Sequence, residues 1–123
     1  MTGRTIVVLA AHGSRLAAAN DAHGALVARV ATELGGDVVP GFLELVEPSI
    51  GAAIDGAVTG GATRVLVLPY FLHPGNHTSR DIPAIVEEAR ARHPDASIDV
   101  LPLFGADAAL SRLISAQLRA ALG

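Results

Sequence analysis

The chain is 123 residues long and half of it is hydrophobic, enough for one domain with a layered core and too little for two. Aromatic residues contribute only 3 %, so thin layers of helix and sheet suit the composition better than a β-sandwich. The absence of cysteine excludes disulfides, thiolate metal sites and cysteine nucleophiles, and a net charge of -3 without any run of Lys or Arg argues against nucleic acid or acidic membranes as partners.

Thr5 to Ala11 is a continuous apolar, β-branched run, the pattern of a strand buried on both faces of a parallel sheet, and is expected to be the central strand. Leu16 to Leu34 reads as an amphipathic helix with Leu26, Val27, Val30, Ala31 and Leu34 on its inner stripe, stopped by Gly35-Gly36. Asp37 to Glu44 follows as a second strand, and Pro48-Ser49 opens a short Ala-rich helix to about Thr59. Arg64 to Phe71 is a third strand. A glycine-containing loop then leads to a helix from Ser79 or Arg80 to Arg92, with Ser79 as the expected N-cap and Pro83 early enough to be tolerated. Ile98 to Leu103 makes a fourth strand, and Ala108 to Leu122 a last helix expected to turn Leu110, Leu113, Ile114, Leu118 and Leu122 inward. This alternation predicts one α/β domain over residues 1–123: a doubly wound four-stranded parallel sheet of order 2-1-3-4 with helices on both faces. No span approaches the roughly 20 apolar residues of a membrane helix. Ile6 to Ala11 is too short for a signal sequence and runs straight into His12-Gly13-Ser14-Arg15, so the cytosol is the expected location.

Pro-x-Phe recurs at the C-terminal ends of three strands, as Pro40-Gly41-Phe42, Pro69-Tyr70-Phe71 and Pro102-Leu103-Phe104. It gathers every Phe and the only Tyr along one rim, where the rings either plug the core or form a wall for a flat ligand. In the order 2-1-3-4 the winding reverses between strands 1 and 3, and ligands of open α/β sheets bind at that switch point. The loops meeting there begin at His12 and hold His73 and His77, while strand 2 delivers Glu44. Two imidazoles and a carboxylate suit a first-row divalent ion with open positions left over. Each also has a plainer reading: His12 as a packing residue, His77 as a helix-end residue, Glu44 as a solvated strand end. His23, on the helix stripe, and His93, before Pro94, read as structural. Arg15 and Arg80 adjoin the site loops and are either solvated charges or clamps for a carboxylate. Ser14 lacks a Gly-x-Ser-x-Gly elbow and reads as a turn residue rather than a nucleophile.

Ala11-His12-Gly13-Ser14-Arg15, Phe42-Leu43-Glu44 with Glu47-Pro48-Ser49-Ile50, Leu68-Pro69-Tyr70-Phe71-Leu72, Pro74-Gly75-Asn76-His77 and Asp81-Ile82-Pro83 occur in that order over about the first 85 residues. Together they strongly resemble the sirohydrochlorin chelatase family, the ATP-independent class II tetrapyrrole chelatases. The resemblance implies a chelatase-like fold and insertion of Co2+ or Fe2+ into sirohydrochlorin, on the route to cobalamin or sirohaem, with a nickel-inserting branch nearby. The metal is then a substrate, and no nucleotide is needed. Matching motif positions put the family's paired histidines on His12 and His77 and its acidic residue on Glu44, as catalytic and metal-holding groups. Ser14, Arg15 and Arg80 become candidates for holding the substrate's carboxylates. His73 departs from the family pattern, which more often has an apolar or small residue there. The chain resembles the short form of the family, which implies a homodimer with two halves facing each other. A carrier of tetrapyrrole or metal without turnover is the alternative. A histidine phosphatase needs Arg before its nucleophilic His, and Ala11 stands there instead.

Overall fold

A computed structural model describes residues 3–123, apart from the side chain of His77. Four strands, β1 (Arg4–Ala11), β2 (Asp37–Phe42), β3 (Ala62–Pro69) and β4 (Ser97–Val100), pair in parallel in the order β2-β1-β3-β4. Helices α1 (Ala17–Leu34), α2 (Ile50–Thr59), α3 (Ile82–Arg92) and α4 (Ala109–Leu122) alternate with them. This is the expected doubly wound topology. Among the described residues no helix is long and apolar enough to cross a membrane.

The unbroken apolar run of β1 serves both faces of the sheet. Ile6, Val8 and Ala10 join Val65, Val67 and Ile98 beneath α2 and α3, while Leu9 packs with Val38 and Val27 beneath α1. Gly35 ends α1 in the left-handed conformation at φ 68°, and its N–H returns to the Ala31 carbonyl. Ser49 caps α2 through its hydroxyl, which accepts from the Ala52 N–H at 3.1 Å. Both outer strands carry a blocking feature. Leu43 N–H donates to Ala11 O, so by alternation the nitrogen of Pro40 faces away from β1 at the open side of β2. On the opposite side, the Ile98 carbonyl of β4 accepts from Arg90 Nε at 2.8 Å.

Several expectations are corrected. The second and fourth strands end earlier than Glu44 and Leu103, at Phe42 and Val100, because each chain turns out of the sheet there. The third strand runs Ala62–Pro69 rather than Arg64 to Phe71. Ser79 does not cap α3: a wide π-type turn, His77–Asp81, precedes the helix, and Thr78 Oγ1 accepts from Gly75 N–H at 2.7 Å instead. The largest departure is α4. None of its residues is buried; Leu113, Ile114 and Leu118 are about half exposed and Leu122 is 84 % exposed. Leu34 is also exposed, past the end of the sheet that α1 covers. On the α1 side, Leu66 and Leu68 of β3 remain half-buried, while Val65 and Val67 on the other side are fully buried. Half of one sheet face therefore lacks its helix.

At the end of the sheet remote from the β1–α1 loop, Asp55 of α2 accepts from Arg92 Nη2 at 3.0 Å and from His93 Nε2 at 2.6 Å. The His93 bond foremost, aided by Arg92 and opposed by desolvation, holds the Asp55 carboxyl below its usual pKa. A depressed carboxylate pKa adds stability above the unfolded value of about 3.9 and loses it as pH falls through the folded value. Asp55→Asn should therefore lower the denaturant midpoint at neutral pH and narrow its gap from the parent in acid. Asp55 is 42 % exposed, so screening limits the difference to about 1 kcal/mol or less. An equal gap at all pH values would refute the linkage.

Candidate functional site

The ends of β1, β2 and β3 build the site. His12 follows the last residue of β1, and Glu44 lies two residues beyond β2. Their backbones stay in contact beyond the paired strands, since Glu44 N–H donates to His12 O at 3.0 Å. The side chains also meet, with His12 Nε2 2.6 Å from Glu44 Oε1, and both are about half exposed. Gly13 makes this approach possible. It sits at φ 95°, and a Cβ there would come within 1.9 Å of the Glu44 carbonyl oxygen, so any side chain would push the two loops apart. Next to the pair, Leu45 is held at φ 70°, a left-handed conformation costing about 1–3 kcal/mol in a residue other than glycine. Strain of this kind is tolerated where the surrounding chain fixes the position of a nearby group, here Glu44.

Ser14 is bound into the turn after His12. Its N–H donates to Asn20 Oδ1, its carbonyl accepts from Asn20 Nδ2, and its hydroxyl accepts from Leu16 N–H. Arg15 and Arg80 are exposed beside the two loops. The third strand brings its own loop alongside: Pro69 pairs with Ala10, and Tyr70 N–H donates to Ala10 O at 2.8 Å. The Phe71 ring lies 6.4 Å from that of His12. This loop carries the exposed His73 and continues to His77, whose side chain lies outside the described residues. Among the described residues no three His, Asp or Glu side chains gather as a metal-holding group.

The aromatic rim divides between its two expected roles. Phe42 is buried and plugs the core, whereas Tyr70 is 41 % exposed, with Phe104 5.4 Å away. Beside His12 a cavity of 440 Å³ opens between the β1–α1 loop and α1. Its wall includes His23 and Arg29, neither of which sequence reasoning assigned to the site. His23 is indeed structural in one respect, since its Nε2–H donates to Leu9 O at 2.9 Å from a buried position. The signal available in the sequence was a histidine on an otherwise apolar helix stripe. His93 belongs to the Asp55 cluster and plays no part here.

A parallel sheet with an imidazole–carboxylate pair at its switch point defines a chelatase-like α/β protein. The model of the CbiX family matches residues 6–121, and the chain belongs to this family, that of the sirohydrochlorin chelatases. A sirohydrochlorin cobaltochelatase of Methanococcus maripaludis is 40 % identical over 81 residues, 65 % of this chain and 56 % of that protein. The chain thus spans little more than half of that relative's length. Sirohydrochlorin ferrochelatases are also among the matched relatives. The crystal structure of a putative cobalamin biosynthesis CbiX protein from Marinobacter aquaeolei superposes with a TM-score of 0.83 at 26 % identity, covering 96 % of this chain and 94 % of that one. The sirohydrochlorin chelatase SirB of Bacillus subtilis in complex with cobalt gives the same score and identity over 94 % of this chain and 50 % of its own.

Proposed function

We propose that the chain inserts Co2+ or Fe2+ into sirohydrochlorin without a nucleotide, with His12, His77 and Glu44 as the groups that handle metal and protons. The observation that carries this reading is the 2.6 Å His12–Glu44 pair at the switch point, beside the loop that leads to His77. Insertion requires a hydrated ion to shed water and two pyrrole N–H protons to leave. Neutral imidazoles suit both tasks, as transient ligands and as proton acceptors. Glu44 accepts a hydrogen bond from His12 Nε2–H and stabilises the imidazolium formed when His12 takes up a proton. With both groups half exposed, water remains at hand and the ion is held loosely enough to be passed on. Ser14 lines the cavity beside His12, and Arg15 and Arg80, exposed next to the two loops, would meet carboxylates of the substrate. Nickel is accepted by the same donor types and remains a third metal for this site.

The functional unit in this reading is a homodimer. An apolar stripe on α4 that its own chain leaves uncovered, together with a half-covered sheet face, supports it. A single four-stranded domain also leaves one side of a broad disc-shaped ligand open, and a second copy supplies the other wall.

Anaerobic absorbance spectra of sirohydrochlorin mixed with Co2+ or Fe2+ test the activity. Conversion above the uncatalysed rate, with no added nucleotide, is the expected result. A rate equal to background with both metals, but with the macrocycle bound, would instead establish the carrier alternative.

A further inference from the structure

The cavity beside His12 holds polar groups for which metal handling has no use. Its wall is largely apolar, with Leu26, Phe42 and Tyr70 contributing the larger surfaces. Asn20 also lines it, but both ends of its amide are occupied by the Ser14 backbone. Besides the hydroxyl of Tyr70, that leaves His23 and Arg29. His23 is 7 % exposed, and because a carbonyl only accepts, its Nε2 carries the proton donated to Leu9 O. Its Nδ1 is then an acceptor buried in the wall without a partner, and because neither methylenes nor a carboxylate carry a proton for it, Arg29 is the group able to meet an anion here. Arg29 is exposed and makes no hydrogen bond or ion pair with the described residues. Helical side chains lean toward the helix N-terminus, so Arg29 is carried back along α1 toward the rim where His12 stands.

A narrow apolar wall with a single unpaired guanidinium is suited to a short methylene chain ending in an anion. We propose that this cavity receives one carboxylate arm of the macrocycle, with its methylenes against Leu26, Phe42 and Tyr70 and its carboxylate on Arg29. The inference rests on the tetrapyrrole reading above and extends it, making Arg29 a substrate-anchoring residue. The arm enters beside His12, so it fixes how the disc is rotated over the metal-handling pair.

Equilibrium binding of metal-free sirohydrochlorin, followed by its absorbance and fluorescence, tests this directly. Arg29→Met keeps the methylene length and removes the charge, and the exposed position leaves the melting temperature unchanged. It should weaken binding about tenfold, the scale of one charge-assisted pair, and raise KM with little change in kcat. Ala22→Leu, which narrows the cavity without touching charge, should weaken binding as well. The fully esterified macrocycle should bind parent and Arg29→Met equally, and Arg64→Met at the other end of the sheet should match the parent. Unaltered binding by Arg29→Met would overturn the anchor. Weakened binding by Arg29→Met with normal binding by Ala22→Leu would overturn the cavity, since the charge would then act from the surface. If the parent protein does not bind sirohydrochlorin, the functional reading itself falls and the inference with it.

Discussion

His12→Ala is expected to lower kcat for metal insertion by about 10² to 10⁴-fold, the usual contribution of a positioned proton-transfer group, without a measurable loss of stability. The side chain of His12 is about half exposed, so its removal leaves no cavity in the core. His77→Ala should have an effect of the same order if the paired histidines divide ligation and proton removal between them. Glu44→Gln keeps the shape and a hydrogen-bond acceptor but removes the charge that supports an imidazolium, so its loss should be smaller and should shift the pH profile of kcat. Steady-state rates together with thermal melts decide the matter. Near-parent turnover in His12→Ala would displace the chemistry from the β1 terminus altogether.

A comparable loss should follow from changes on α4, an element that contributes neither His12 nor Glu44. Leu113→Asp combined with Leu118→Asp places two charges on the apolar stripe of α4, where both leucines are about half exposed. In an isolated subunit this would be nearly neutral or even favourable. In a dimer that buries the stripe, each half-exposed leucine contributes about 0.8–1.5 kcal/mol from its remaining surface and each introduced carboxylate adds a desolvation cost, so the pair of substitutions removes about 3 kcal/mol or more, over a hundredfold in Kd. Light scattering should give about twice 12.5 kDa for the parent and a single chain mass for the variant. Specific activity should fall in parallel. A parent that scatters as a monomer and turns over fully would remove the second wall from the proposal.

The alternation of elements and the strand order could be read from the sequence because β1, buried on both sides, and β3, buried on one, declare it through unbroken Val, Leu and Ile. The meeting of His12 with Glu44 followed from order alone, since adjacent parallel strands end side by side. What could not be read depended on partners distant in sequence. The stripe on α4 has the spacing of a buried helix, and spacing says nothing about whose core it enters. Ser79 is a good capping residue in general, but Thr78 reaches Gly75 first. His23 looked like one more packed side chain, because its orphaned nitrogen and the cavity beside it exist only once Phe42 and Tyr70 are folded around it.

The two blocked outer strands bear on how copies of this chain would associate in the proposed dimer. An open parallel sheet ordinarily presents unpaired amides that template another strand, the route to edge-to-edge aggregation. Here Pro40 withholds a donor along β2, and Arg90 already occupies the Ile98 carbonyl on the four-residue β4. Neither edge invites a further strand, so growth along the sheet is discouraged while the leucines of α4 remain adhesive. In the proposed dimer the contact would then run through the α4 surface, and an isologous contact through one surface closes after two subunits instead of propagating into fibres.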